Sequence, residues 1–242
     1  MFISYQIWLM KSPSRVTLYA QSERWLDCHV TSPLFDPLFF LEDSLQLVRG
    51  ETQLQASTLR IRVRNPSSRK SKKVDAKVQM LKGPIPYEIL VFENKGENVC
   101  NSKKEADVRK IRKEMKDMYD RIWEDFPTLT VEDRRKVATF GVLCSGFNIT
   151  ILRLDHPYRG IYRVSTLCTL DLPRNLEDSS FKLYQQIIQK VYELKEAVKR
   201  VAAVLNQHFP EVNYGKNTSI RKNPDIDGPG IADNMNNSLY PT

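Results

Sequence analysis

Residues 74–81 read Val-Asp-Ala-Lys-Val-Gln-Met-Leu, residues 82–86 Lys-Gly-Pro-Ile-Pro, and residues 87–95 Tyr-Glu-Ile-Leu-Val-Phe-Glu-Asn-Lys. The first run alternates apolar and polar side chains, with Val74, Ala76, Val78 and Met80 on one side. That period of two belongs to a β-strand. The last run is a compact apolar stretch bounded by turn residues, and the Gly/Pro segment between them predicts a β-hairpin. With Pro84 as its centre, Asp75 lies nine residues before and Glu93 nine after. In a symmetric antiparallel register, opposed residues share a face and lie roughly 5 Å apart. Asp75 and Glu93 are therefore expected to face one another. Lys95, two residues on, shares their face, and Asn94 points the other way. A bulge or a one-residue slip would undo this geometry.

Two neighbouring carboxylates raise each other's pKa unless a cation shares them. Mg²⁺ (or Mn²⁺) suits the pair, because it binds through one or two carboxylates plus water and phosphate oxygens. Such a site polarises a phosphodiester and acidifies water. Lys95 then serves to orient that water or to stabilise charge developing on phosphorus. The same spacing also suits a cross-strand salt bridge on a solvated face.

Beyond the hairpin, Ser102–Phe126 is expected to be a helix, with Ser102 as N-cap and Glu105 completing a capping box. Val108, Ile111, Met115, Met118 and Ile122 form its apolar stripe, opposite a dense mixed-charge face. Val137–Cys144, Phe147–Leu154 and Gly160–Leu172 read as further strands. Leu183, Ile187, Val191, Leu194, Val198, Val201 and Leu205 mark a second long amphipathic helix. Before the hairpin, residues 33–41 (PLFDPLFFL) belong to the core, and Ser44–Val48 is a short strand or the end of a helix. Residues 1–30 carry no clear period. The order hairpin, helix, strands, helix gives an α/β fold with helices packed on a sheet.

Composition narrows the function classes. The 242 residues are 41% hydrophobic and 27% charged, which excludes fibrous, disulfide-scaffold and wholly disordered chains. No window is apolar over the ~18 residues that a membrane span needs, so no membrane association is expected. Lys and Arg number 37 against 29 acids, a net charge of +8, and that sign favours a polyanion such as nucleic acid. The excess is concentrated in Leu59–Lys73, where Arg60, Arg62, Arg64, Arg69, Lys70, Lys72 and Lys73 occur with no acid. This segment, with Asn65-Pro66-Ser67-Ser68 inside it, reads as a loop. It is either a solvated surface run or a phosphate-contacting arm. We take Arg64, Arg69, Lys70, Lys72 and Lys73 as candidate nucleic-acid contacts. Cys28, Cys100, Cys144 and Cys168 form no CxxC pair and have no histidine at ligand spacing, which argues against zinc and for reduced thiols. The start of the chain has no basic segment ahead of its apolar run, and an intracellular place, nuclear or cytoplasmic, is expected. Glu88 is expected to be exposed, and Asp155-His156-Pro157 to form a surface turn.

Asp75 followed by a strand ending in Glu93-Asn94-Lys95 resembles the D…(D/E)xK signature of the PD-(D/E)XK (restriction-endonuclease-like) superfamily. The order of the following elements resembles that superfamily's αβββαβ core, a mixed central sheet flanked by helices. More specifically, KKVDAKVQML, EILVFENKGENV, RKEMKDMYDRI and GFNITILRLDHPYRGIYRV resemble an uncharacterised family of fungal proteins. That resemblance covers about Arg24 to Phe209. The fungal-family resemblance names no activity; the superfamily signature implies a magnesium-dependent nuclease (a phosphodiester hydrolase acting on DNA or RNA), with Asp75 and Glu93 as metal ligands and Lys95 as catalytic lysine. A further acid often precedes the Asp-bearing strand, and Glu51 is the matching candidate. Val74 stands where a proline commonly precedes the Asp. Many superfamily members have lost catalysis, so the resemblance also accommodates a silent nucleic-acid-binding or protein-interaction module. The expected organisation is an N-terminal extension (1–23), a PD-(D/E)XK-like domain (24–209) and a disordered tail (210–242).

Overall fold

The hairpin lies within a six-stranded sheet, flanked by helices, in a computed structural model that describes residues 22–40, 42–67, 73–81, 86–96, 100–158, 161–173 and 178–209. The strands are β1 (Leu45–Gln53), β2 (Lys73–Met80), β3 (Tyr87–Lys95), β4 (Thr139–Ser145), β5 (Asn148–Tyr158) and β6 (Ile161–Asp171), arranged in chain order across the sheet. All neighbours are antiparallel except β3 and β4. A parallel pair needs a long crossover. It is supplied here by the long helix Asn101–Asp125.

A helical rod precedes the sheet. It runs from α1 (Glu23–Leu26) through a π-helical turn (Asp27–Thr31) into α2 (Ser32–Phe39). Ser22 caps it, accepting the Trp25 N–H at 3.2 Å. Leu26, Val30, Leu34, Phe35 and Phe39 are buried, and Phe35 meets Phe92 of β3 edge-on with ring centroids 5.1 Å apart. The expectation that the 33–41 run enters the core is met at Leu34, Phe35 and Phe39, whereas Phe40 is exposed. A third helix, α3 (Gln55–Arg64), follows β1.

The long helix α4 (Asn101–Asp125) joins β3 to β4 and packs on β3, β4 and β5. Ile111, Met115, Met118 and Ile122 are buried, as their spacing predicts. Its N-cap is Cys100, with no side-chain capping bond, in place of the expected Ser102 box. Close approach to the sheet requires a glycine at position 141. A Cβ there would lie 2.8 Å from Met115 Sδ and 2.9 Å from Ile111 Cδ1. A short helix, α5 (Val131–Lys136), precedes β4. The last helix, α6 (Asp178–Gln207), buries Ile187, Val191, Leu194, Val198, Val201 and Leu205 and packs on α2, α5 and β3.

Two expectations about the edges of elements are corrected. The basic segment is not all loop, because residues 59–64 complete α3. Arg60 reaches buried Asp117 of α4 at 2.8 Å, and Ser57 Oγ donates to the same carboxylate at 2.5 Å. Those partners are remote in sequence and favour helix over loop. Asp155 and His156 lie inside β5 rather than on a turn. Asp155 is buried and takes a bidentate Arg163, at 2.9 and 2.8 Å, from the neighbouring strand. The His156 ring packs among Tyr119, Trp123 and Tyr162.

Candidate metal and phosphate site

The register of β2 on β3 brings the site together. Ala76 opposes Phe92, Lys77 opposes Val91 and Val78 opposes Leu90. One further step in the same register would set Asp75 opposite Glu93, and the charge of Asp75 raises the Glu93 pKa. A bulge between Val78 and Gln79 sets this register: counted straight out from Met80–Tyr87, Asp75 would oppose Phe92, and one extra residue on β3 moves the alignment by one step. Asp75 Oδ2 accepts the Asn94 N–H at 2.6 Å, which ties the carboxylate to the strand carrying Glu93. Asn94 turns to the opposite face. There it donates to Asp27 Oδ1 at 2.8 Å and accepts from Thr31 Oγ1 at 3.3 Å.

Glu93 points toward α4 and is completely buried. Lys110 of α4 donates to its Oε1 at 2.5 Å, and Lys95 Nζ lies 3.9 Å from its Oε2. Oε2 is buried and has no hydrogen-bond partner among the described residues. Burial pushes the carboxyl pKa up to about 7. Lys110 opposes that rise, Asp75 adds to it, and Lys95 opposes it more weakly. The Lys110 ammonium is itself held above its usual range. Burial would lower it, but the hydrogen bond and charge of Glu93 prevail.

The helical rod closes the other side. Glu23 Oε2 lies 3.7 Å from Lys95 Nζ, so this lysine sits between Glu23 and Glu93. Burial raises the pKa of Glu23, Lys95 lowers it, and Asp75 raises it. Asp27 is raised by burial too, against Arg49 at 2.7 Å, with Asp75 adding repulsion. The π-helical turn that carries Asp27 is a local departure of the kind that often marks functional positions. An open cleft of 460 Å³ is lined by Glu23, Arg24, Asp27, Gly50, Glu51, Asp75 and Asn94. Lys95 lines a neighbouring one with Lys104 and Asp107. A separate cavity between α6 and strands β4–β6, lined in part by Phe140, Ile151 and Leu194, contains none of these residues.

Glu51 reaches this cleft by an irregularity in β1. Arg49 opposes Ala76 and Thr52 opposes Val74, so three steps on β1 span two on β2. Gly50 has φ +82° and Glu51 φ +26°, a left-handed conformation that a non-glycine residue adopts only under strain. Its exposed carboxylate pairs with Lys73 at 2.9 Å, which lowers its pKa. Of the basic arm, Arg64 is exposed, and Lys73, the residue just before Val74 and Asp75, is engaged with Glu51. Arg69, Lys70 and Lys72 lie outside the described residues. Covalent continuity alone keeps the end of the arm beside the cleft, since Lys73 and Asp75 are two residues apart.

Glu88, expected to be exposed, is buried. Its Oε1 pairs with Lys77 at 3.0 Å and accepts the Gln55 N–H at 2.7 Å, and its Oε2 lies 3.3 Å from Arg121. The bulge at Val78/Gln79 breaks the strict alternation that would put Glu88 with Leu90 and Phe92, and it meets α4 instead.

The reading of the sequence missed Glu23, Asp27 and Lys110. Ser22 before a rod with Leu26, Val30 and Leu34 at four-residue spacing was a helix signal, although the segment carries no strong charge or motif. Lys110 stood on the charged face of α4, where nothing local distinguishes it from Arg109 or Lys113.

Asp75 and Glu93 are the two carboxylates here that could share a divalent cation; Asp75 lines the open cleft, whereas Glu93 is fully buried, its Oε2 without a hydrogen bond among the described residues. Among the described residues no three His, Cys, Asp or Glu side chains are gathered to hold an ion by themselves. Water and phosphate oxygens would complete the shell, as magnesium ordinarily prefers. Comparison of the chain with protein-family models, curated proteins and solved structures found no match. No described helix is long and apolar enough to cross a membrane.

Proposed function

We propose that this chain is a PD-(D/E)XK-type, divalent-metal-dependent phosphodiesterase acting on DNA or RNA. The observation that carries the reading is Glu93. It is a buried carboxylate with one oxygen lacking a hydrogen bond among the described residues, and its proton affinity is raised further by Asp75 on the adjoining strand. Such a group gains most from a cation. The element order supports the reading as well: a helix, an antiparallel β1–β2–β3 meander, a crossover helix and a parallel β4, with α3 inserted between β1 and β2.

In this proposal Asp75 and Glu93 hold Mg²⁺ or Mn²⁺, and Glu51 is an auxiliary acid at the rim of the cleft. The ion supplies positive charge to the scissile phosphate and acidifies water. Lys95, fixed between Glu23 and Glu93, presents its ammonium where negative charge develops on phosphorus. Arg64, Arg69, Lys70, Lys72 and Lys73 hold the backbone without reading sequence.

Lys110 on Glu93 Oε1 favours a second reading, a catalytically silent nucleic-acid-binding or protein-interaction module in which a lysine has taken over the role of counter-ion. Incubation with plasmid DNA and with RNA in Mg²⁺ or Mn²⁺ separates the two. The nuclease reading expects cleavage that is abolished by Asp75→Asn and Glu93→Gln. Lys95→Ala should reduce it by about 100- to 1000-fold, the usual effect of one preorganised charge. A parent protein inert with both ions, whose nucleic-acid binding is unchanged in all three variants, would establish the silent module.

A further inference from the structure

We propose that Lys110 is a resident competitor for the cation at Glu93, and that an arriving divalent ion moves it onto Glu114. The inference rests on the metal reading of Asp75 and Glu93. Its geometry is specific. Lys110 rises from α4 to Glu93 Oε1 at 2.5 Å, closer than the 3.9 Å that separates Lys95 from the same carboxylate. Glu93 is a single negative charge removed from solvent, so it is shared by whichever cations can reach it. An ion bound by one of its oxygens is repelled by an ammonium held on the other.

The molecule provides a second place for that ammonium. Glu114 stands one helical turn beyond Lys110, its Oε1 4.0 Å from Lys110 Nζ, and it too is buried. Residues four apart on a helix are neighbours, so the side chain needs only a rotamer change to pass from one carboxylate to the other. Lys110 keeps about a third of its side chain exposed, which leaves it room to swing. Lys95 is held from the other side by Glu23 of the helical rod. The two lysines therefore divide their roles. Lys95 stays beside the reacting centre, and Lys110 neutralises Glu93 only until an ion displaces it.

The test is direct binding of Mn²⁺, followed by electron paramagnetic resonance of the free ion at about pH 8.5 on the full chain. Lys110→Met keeps length and packing and removes the charge. It should tighten Mn²⁺ binding about tenfold, the scale of one unit charge acting on a divalent ion a few ångström away in a water-like dielectric. Lys110→Arg keeps the charge and should bind as the parent does. Glu114→Gln removes the second acceptor without touching Lys110 and should weaken binding several-fold, so the inference is still tested if Lys110→Met does not fold. Equal affinity in the parent, Lys110→Met and Glu114→Gln would overturn the competition. Absence of binding in the parent and in Lys110→Met alike would overturn the metal reading itself.

Discussion

Glu93→Gln should change how stability depends on pH, by an amount that follows from burial. The Glu93 carboxyl has a pKa of about 7 in the folded chain against an ordinary 4.5. Between those values the unfolded chain has lost the proton and the folded chain still holds it. Folding stability therefore falls as pH rises through that interval. At about 1.4 kcal/mol per pKa unit, the full effect is on the order of 3 kcal/mol, most of which accrues between pH 5 and pH 8. Glutamine has the same shape and does not titrate. Urea unfolding of both proteins across that range isolates the term, because every other titrating group is common to the two. The parent should lose on the order of 3 kcal/mol more than the variant. With Mn²⁺ present at the upper pH, the parent should recover part of that loss and Glu93→Gln should not. Parallel stability curves would refute the reasoning, because they would mean that Glu93 is solvated or fully neutralised by Lys110.

Gly141→Ala should destabilise the fold by about 1–3 kcal/mol, the range for overpacking, since the new Cβ meets Met115 and Ile111 within 3.0 Å; chemical denaturation midpoints check this. Glu88→Ala leaves Lys77 and Arg121 buried without their shared carboxylate and should cost about 3–5 kcal/mol, read as a fall in melting temperature. Changing Arg64, Arg69, Lys70 and Lys72 together to Gln should weaken nucleic-acid binding and flatten its salt dependence by about one unit of slope per lost phosphate contact. An unchanged slope would identify the segment as a solvated run.

Much of the architecture was already legible in side-chain periodicity. The alternation in Val74–Leu81 and the apolar run Tyr87–Lys95 specify two strands, and β3 begins and ends where that run does. The stripes Ile111–Ile122 and Ile187–Leu205 specify α4 and α6, since burial of one face at a period of 3.6 is a property of the chain itself. Counting outward from Pro84 aligns Asp75 with Glu93, but the structure arrives at that alignment through a bulge on β3, which no count from the turn reveals.

What the sequence could not determine depends on contacts between residues far apart in the chain. Glu88 opens its strand and was expected to be exposed; a one-residue bulge turns it toward two cations remote in sequence, and it is buried between them. Arg60 looked like part of an uncompensated basic run until α3 met Asp117 on α4. The same is true of the candidate site. Asp75, Glu93 and Lys95 lie on one hairpin and were visible together. Glu23, Asp27 and Lys110 arrive on helices that local pattern leaves free to dock anywhere. Only the tertiary packing of those helices decides that Lys95 stands between two acids and that the buried charge of Glu93 already has a lysine upon it. The physical reason is the range of the forces. Periodicity and turn chemistry act between neighbours in sequence, whereas desolvation and ion pairing act between neighbours in space.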